Sequence, residues 1–132
     1  MKNIIMSPHT ISNFLLSLLV YLIGGLDNLI ITLLIFMLLD YSTGILKAIY
    51  KKELNSKISL KGIIKKIGYI FVVITATLFD YIINKDEMPI RNLTLYFFIA
   101  NEAISILENW AILGLPLPKK LSEVFEQIKN KS

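Results

Sequence analysis

Apolar residues fall in four runs separated by short polar breaks, at residues 10–26, 28–50, 67–84 and 90–113. A helix rises about 1.5 Å per residue, so roughly 20 apolar residues cross a bilayer. The last three runs meet that length. The first is at the short limit, and reads as either a true span or a re-entrant or interfacial segment. Gly24-Gly25 followed by Asp27 predicts a helix stop and then an N-cap, hence a tight helical hairpin. Asn55-Ser56 is a turn signal. From there Leu60, Ile63, Ile64 and Ile67 share one helical face while Lys57, Lys61 and Lys65 lie on another. This predicts a basic amphipathic linker before the third span. Gly114, Pro116 and Pro118 stop the fourth. In the tail, 114–132, Leu121, Val124, Phe125 and Ile128 give a short amphipathic C-terminal helix. The expected fold is all-α: one domain over 1–132, an integral membrane helical bundle of three to four transmembrane helices.

Composition supports that class. Hydrophobic residues make up 55% of the 132-residue chain, with a mean hydropathy of +0.63. A soluble domain this small has no core able to hide several such runs. With no cysteine, disulfides, thiolate metal sites and cysteine nucleophiles are excluded. Lysine placement orients the chain. With four spans and the N-terminus inside, every basic residue except Lys85 and Arg91 falls on or near one side. Basic residues favour the cytoplasmic side, and the Ile, Lys and Asn richness hints at an AT-rich bacterial genome; the expected location is the bacterial cytoplasmic membrane, multi-pass, with the C-terminus and the basic loop cytoplasmic. Lys51, Lys52, Lys57, Lys61, Lys65 and Lys66 then stand at the membrane surface, suited to anionic lipid rather than nucleic acid.

The costly residues lie inside the spans. A charge at bilayer depth costs roughly 2.5–3.5 kcal/mol on the insertion scale. In the second span Asp40, Thr43, Gly44, Lys47 and Ala48 form one stripe; in the fourth, Asn101, Glu102, Ser105, Glu108 and Asn109 form another. At 1.5 Å per residue Asp40 and Glu102 lie at one depth, roughly 18 Å in, and Lys47 and Glu108 at roughly 27–29 Å. This predicts a Lys47–Glu108 pair, with Asp40 facing the Asn101–Ser105 patch within a subunit or between two. Two ionised carboxylates at mid-depth require a wet site or a proton. The stripes are therefore either interhelical hydrogen-bond glue or the lining of a pore or cavity. Gly44-x3-Ala48 allows close helix packing. Asp80 either belongs to this chemistry or rests idle at the outer headgroup boundary.

Enzyme chemistry finds no support in the chain, and no cofactor or metal is implied. The single histidine, His9, reads as a polar flank. There is no nucleophile elbow, Gly-rich phosphate loop or metal-ligand spacing. Asn92-Leu93-Thr94 matches a glycosylation sequon by chance, and Trp110 reads as an interface anchor.

Several elements together resemble the phage lysis and toxin-secretion holins of Gram-positive bacteria, including clostridial toxin-export holin-like proteins. They are Asp40-x3-Gly44-x3-Ala48, the lysine-rich loop through Gly62, and Asp80 closing the next span. Asn101-Glu102-x2-Ser105-Ile106-Leu107-x-Asn109 and Gly114-Leu115-Pro116-x-Pro118-Lys119-x-Leu121 follow. The resemblance covers residues 36 to 121 and implies a homo-oligomer that opens a lesion, releasing an endolysin or exporting a large toxin. A small oligomeric ion channel or transporter and a non-conducting membrane scaffold remain as alternative readings.

Overall fold

A computed structural model describes residues 7–83 and 86–131, without the side chains of Ile58, Phe125, Ile128 and Lys129. Lys2, Asn84 and Lys85, used above for topology and span ends, lie outside the described residues, as does half of the tail's apolar face, Phe125 and Ile128. Five helices follow in order: α1 (Pro8–Leu22), α2 (Asn28–Tyr50), α3 (Ser56–Ile82), α4 (Pro89–Ile112) and α5 (Lys119–Lys131). Among the described residues there is no strand.

Local chemistry sets the ends. Ser7 caps α1, accepting from Thr10 N at 3.3 Å, with Pro8 in the first turn where a missing N–H costs nothing. Gly24 and Gly25 take φ of +80° and +100°, the left-handed region that ends α1 and turns the chain. Asp27 then caps α2, its Oδ1 accepting from Ile30 N at 3.1 Å. Asn55 caps α3, and Gly114, at φ +73°, ends α4 before the prolines.

One expectation is corrected here. The basic amphipathic segment is not a separate linker: it forms the first turns of α3, which runs unbroken from Ser56 to Ile82. Nothing between Lys57 and Ile67 stops a helix. Gly62 and Gly68 each cost only about 1 kcal/mol in a helix interior.

α4 is the element around which the others are arranged. It buries Arg91, Leu95, Phe98, Glu102 and Asn109, spaced to lie along one face. α2 packs along it most extensively and α3 next; among the described residues α1 packs only against α3. α2 and α4 run the same way, since Arg91 near the start of α4 meets Asp27 and Asn109 near its end meets Thr43. The small apolar core comprises Ile23, Ile30, Leu33, Tyr69, Val73, Leu95 and Phe98. Tyr69 stacks on Phe98 with centroids 4.0 Å apart. At the α1–α3 contact Tyr21 stacks on Tyr81, whose hydroxyl donates to the Tyr21 carbonyl at 2.8 Å.

The outer surface is apolar. Leu38, Phe71, Tyr96 and Phe97 are among many large side chains left exposed, while Asp80, Arg91, Glu102 and Asn109 are buried. That reversal of the soluble pattern suits a hydrocarbon solvent. Among the described residues two helical stretches, Asn28–Tyr50 and Ser59–Ile82, are long and apolar enough to cross a membrane. α4 matches them in length but is more polar. α1, at 15 residues, is about 22 Å long, short of the roughly 30 Å hydrocarbon core.

Candidate functional site

The interior polar network forms where α2, α3 and α4 meet. Lys66 on α3 extends its ammonium between two carboxylates, 2.7 Å from Asp40 Oδ2 on α2 and 2.6 Å from Glu102 Oε2 on α4. The three side chains are 12%, 16% and 2% exposed, so the group is largely desolvated. Asn109 Nδ2 extends the network, donating to Asp40 Oδ1 at 3.2 Å, to the Asp40 carbonyl at 3.4 Å and to Thr43 Oγ1 at 3.1 Å. Thr43 in turn donates back to the Leu39 carbonyl at 2.9 Å. Among the described residues no buried side-chain nitrogen or oxygen lacks a partner.

The depth match between Asp40 and Glu102 thus becomes physical, through a residue the sequence reading had placed elsewhere. Lys66 does not belong with the membrane-surface lysines. It faces inward because residues 59, 62, 66, 69 and 73 of α3 line one side of the helix at i, i+3 and i+4 spacing. Tyr69 and Val73 on that side are buried. The available signal was this continuity of face across the expected linker boundary.

Within one chain the proposed Lys47–Glu108 pair does not form. Glu108 is exposed on the far side of α4 while Lys47 lines a cavity beside α3. Equal depth is not enough; the two also need facing azimuths, and Glu108 precedes the inward Asn109 by one residue, about 100° of arc. Asn101 makes no side-chain hydrogen bond among the described residues. Ser105, Gly44 and Ala48 line the same cavity as Lys47. Asp40, Glu102 and Asn109 therefore meet partners inside one chain, while Asn101 and Glu108 meet none among the described residues. The buried groups of the stripes no longer argue for self-association.

A second cluster closes the opposite end of the bundle. Arg91 is 1% exposed. It donates through both terminal nitrogens to Asp27, at 2.7 and 3.1 Å, and to the Gly25 carbonyl at 3.2 Å; its Nε donates to the Ile23 carbonyl. The guanidinium holds the Asp27 carboxyl below the ordinary aspartate range, against a smaller opposing effect of partial burial. Asp80, fully buried, accepts from Arg91 N at 2.7 Å and Ile90 N at 3.1 Å. It is thus the N-terminal cap of α4, supplied by the end of α3, where an idle headgroup position was one of two readings.

Between α2 and α3 lie two adjoining spaces. One, of about 390 Å³, sits at the Lys51–Asn55 end and is lined by Lys47, Lys51, Lys65 and Lys66 with Asp40, Glu53 and the glycines Gly44 and Gly62. The other, of about 320 Å³, continues toward mid-helix and is lined by Met37, Leu38, Ile63, Ile67 and Ile70. Tyr41 and Lys66 border both.

An apolar exterior wrapped around buried ion pairs defines a helical membrane protein. The sequence profile of the bacteriophage holin family matches residues 17–130, and the chain belongs to that family. It is 44% identical to a 14.9 kDa protein encoded in the nagH 3' region of Clostridium perfringens, over 87% of each chain. It is 35% identical to the protein YqxH of Bacillus subtilis, over 84% of this chain and 78% of that one. A probable holin of Bacillus phage phi105 is 33% identical over 83% of this chain and 80% of its own. No solved structure matches.

Proposed function

We propose that this chain is a holin that accumulates in the bacterial cytoplasmic membrane, oligomerises there and opens a lesion. The opening releases an endolysin to the cell wall or lets a large toxin leave, with no catalytic step of its own. α2, α3 and α4 cross the bilayer and α1 reaches only part of the way. The basic Lys51–Asn55 end and the C-terminus face the cytoplasm, following the lysine bias.

The observation that carries this reading is the Asp40–Lys66–Glu102 network held inside an apolar bundle. Charged groups at mid-depth are expensive and are retained where they serve a pathway. In the packed chain they satisfy one another. If helices exchange these partners for those of neighbouring copies, the same groups become the polar wall of an opening. Glue and lining are then two states of one set of residues. Family membership and the phage phi105 relative support the lysis role.

The test is induction of the chain in a bacterium with and without a cytosolic endolysin, following membrane potential and culture turbidity. Abrupt depolarisation with endolysin-dependent lysis is the expected result. Selective, saturable ion flux without protein release identifies a channel or transporter, and unchanged potential a scaffold.

A further inference from the structure

The gap between α2 and α3 is amphiphilic: a basic chamber at the helix ends lies beside an apolar groove toward mid-helix. Within the chamber Lys66 is bound to Asp40 and Glu102. Lys47, Lys51 and Lys65 make no ion pair among the described residues, and Glu53 is the one further carboxylate in the lining. Four lysines against Asp40 and Glu53 leave the lining a net excess of two positive charges, which Glu102, bound to Lys66 beside it, reduces to one. The chamber's volume of about 390 Å³ lies within the range of roughly 300–1,000 Å³ typical of small-ligand sites. Gly62 opens the wall: a Cβ there would meet nothing within 4 Å.

We propose that this gap is a binding site for one anionic phospholipid, its phosphate held by Lys47, Lys51 and Lys65 and an acyl chain in the groove of Met37, Ile67 and Ile70. Charge complementarity selects the head, since anionic headgroups meet clustered lysines at this level. The apolar groove lying directly beside the chamber, with Tyr41 and Lys66 in the walls of both, favours a molecule with an apolar tail over a free anion. The lipid would fill the face where α2 and α3 pack least, so it acts as a structural part of the closed bundle and stands directly beside Lys66. This site rests on the membrane reading above.

The test uses the full chain, purified in mild detergent and analysed by native mass spectrometry and thermal unfolding with phosphatidylglycerol, phosphatidylcholine or inorganic phosphate added. One phosphatidylglycerol per chain should be retained and raise the melting temperature, with at least tenfold preference over phosphatidylcholine. Lys47→Gln with Lys65→Gln should lose that preference, as should Gly62→Leu, which fills the chamber without changing charge. Lys119→Gln with Lys120→Gln, removing equal charge from α5, should keep it. Equal retention of both lipids, equal loss in the α5 variant, binding of inorganic phosphate alone, or burial of the gap by a second copy overturns the site. If the chain sits in the membrane fraction and shows no preference, only the lipid site fails. If it never enters that fraction, the membrane reading fails with it.

Discussion

Asp40 and Glu102 hold the same nitrogen, Lys66 Nζ, from opposite helices at 2.7 and 2.6 Å. Neither carboxylate has a comparable cation elsewhere among the described residues. Lys66→Met therefore leaves two desolvated carboxylates facing each other, and breaking a buried pair in this way costs about 3–5 kcal/mol. Adding Glu102→Gln to Lys66→Met should return part of that loss. Unfolding in detergent measures both, and strictly additive effects would argue against the shared ammonium.

Lys47 and Glu108 should behave oppositely. With Glu108 exposed and Lys47 in the α2–α3 cavity, Lys47→Glu and Glu108→Lys should combine additively, within about 0.3–0.5 kcal/mol in the same unfolding assay. Recovery in the double exchange would restore the pairing that equal depth suggested.

The two hairpin glycines make a matched comparison. Both have positive φ, so alanine at either pays about 1–2 kcal/mol of backbone strain. At Gly24 the new Cβ would also stand 2.5 Å from Arg91 Nε, whereas at Gly25 it meets nothing within 4 Å. Arg91 is held by its bonds to Asp27 and two carbonyls and cannot yield cheaply. Gly24→Ala should therefore lose about 1–3 kcal/mol more than Gly25→Ala, the usual cost of overpacking.

Asp27 gives a pH dependence with a definite sign. Its carboxyl is held below the ordinary range by Arg91, so its contribution is fully present above about pH 4 and is lost as pH falls through the lowered folded value. Its side chain is 48% exposed, so solvent screening keeps the effect modest. Melting temperature followed from pH 7 to pH 2 should fall less steeply below pH 4 in Asp27→Asn than in the native chain.

Asp40→Leu tests the functional reading directly. The variant should enter the membrane at least as well as the native chain, because the costly charge is gone. With an endolysin present it should nevertheless fail to lyse the cell. Lysis on the native schedule would make the network ordinary packing.

Helices were legible in the sequence where apolar runs had clear stops. α2 was placed to the residue by Asp27 and Lys51, and α4 by Pro89 and Gly114 within one residue. The boundary drawn at Ile67 failed because a change of composition is not a change of conformation; the backbone continues wherever nothing breaks it. At the site, depth along a helix could be counted, and it brought Asp40 and Glu102 together correctly. Azimuth between helices could not be counted, since it depends on how three helices pack. Lys66 and Arg91 were missed for that reason: a lysine in a basic stretch and an arginine at a span end look solvated until a third element covers them.

The two ends of the bundle are fastened unequally, and this gives the molecule leverage. Around Arg91 and Asp80, hydrogen bonds tie α3, α4 and the α1–α2 turn; at the other end an open cavity parts α2 from α3. Lys66 stands 14 residues from Asp80, about 21 Å along the helix axis. A tilt of α3 by about 10° about the fastened end would carry Lys66 roughly 4 Å, more than the length of either ion contact at that helical rise. A rotation of that size would be enough to break the network while leaving the bonds at the pivot whole.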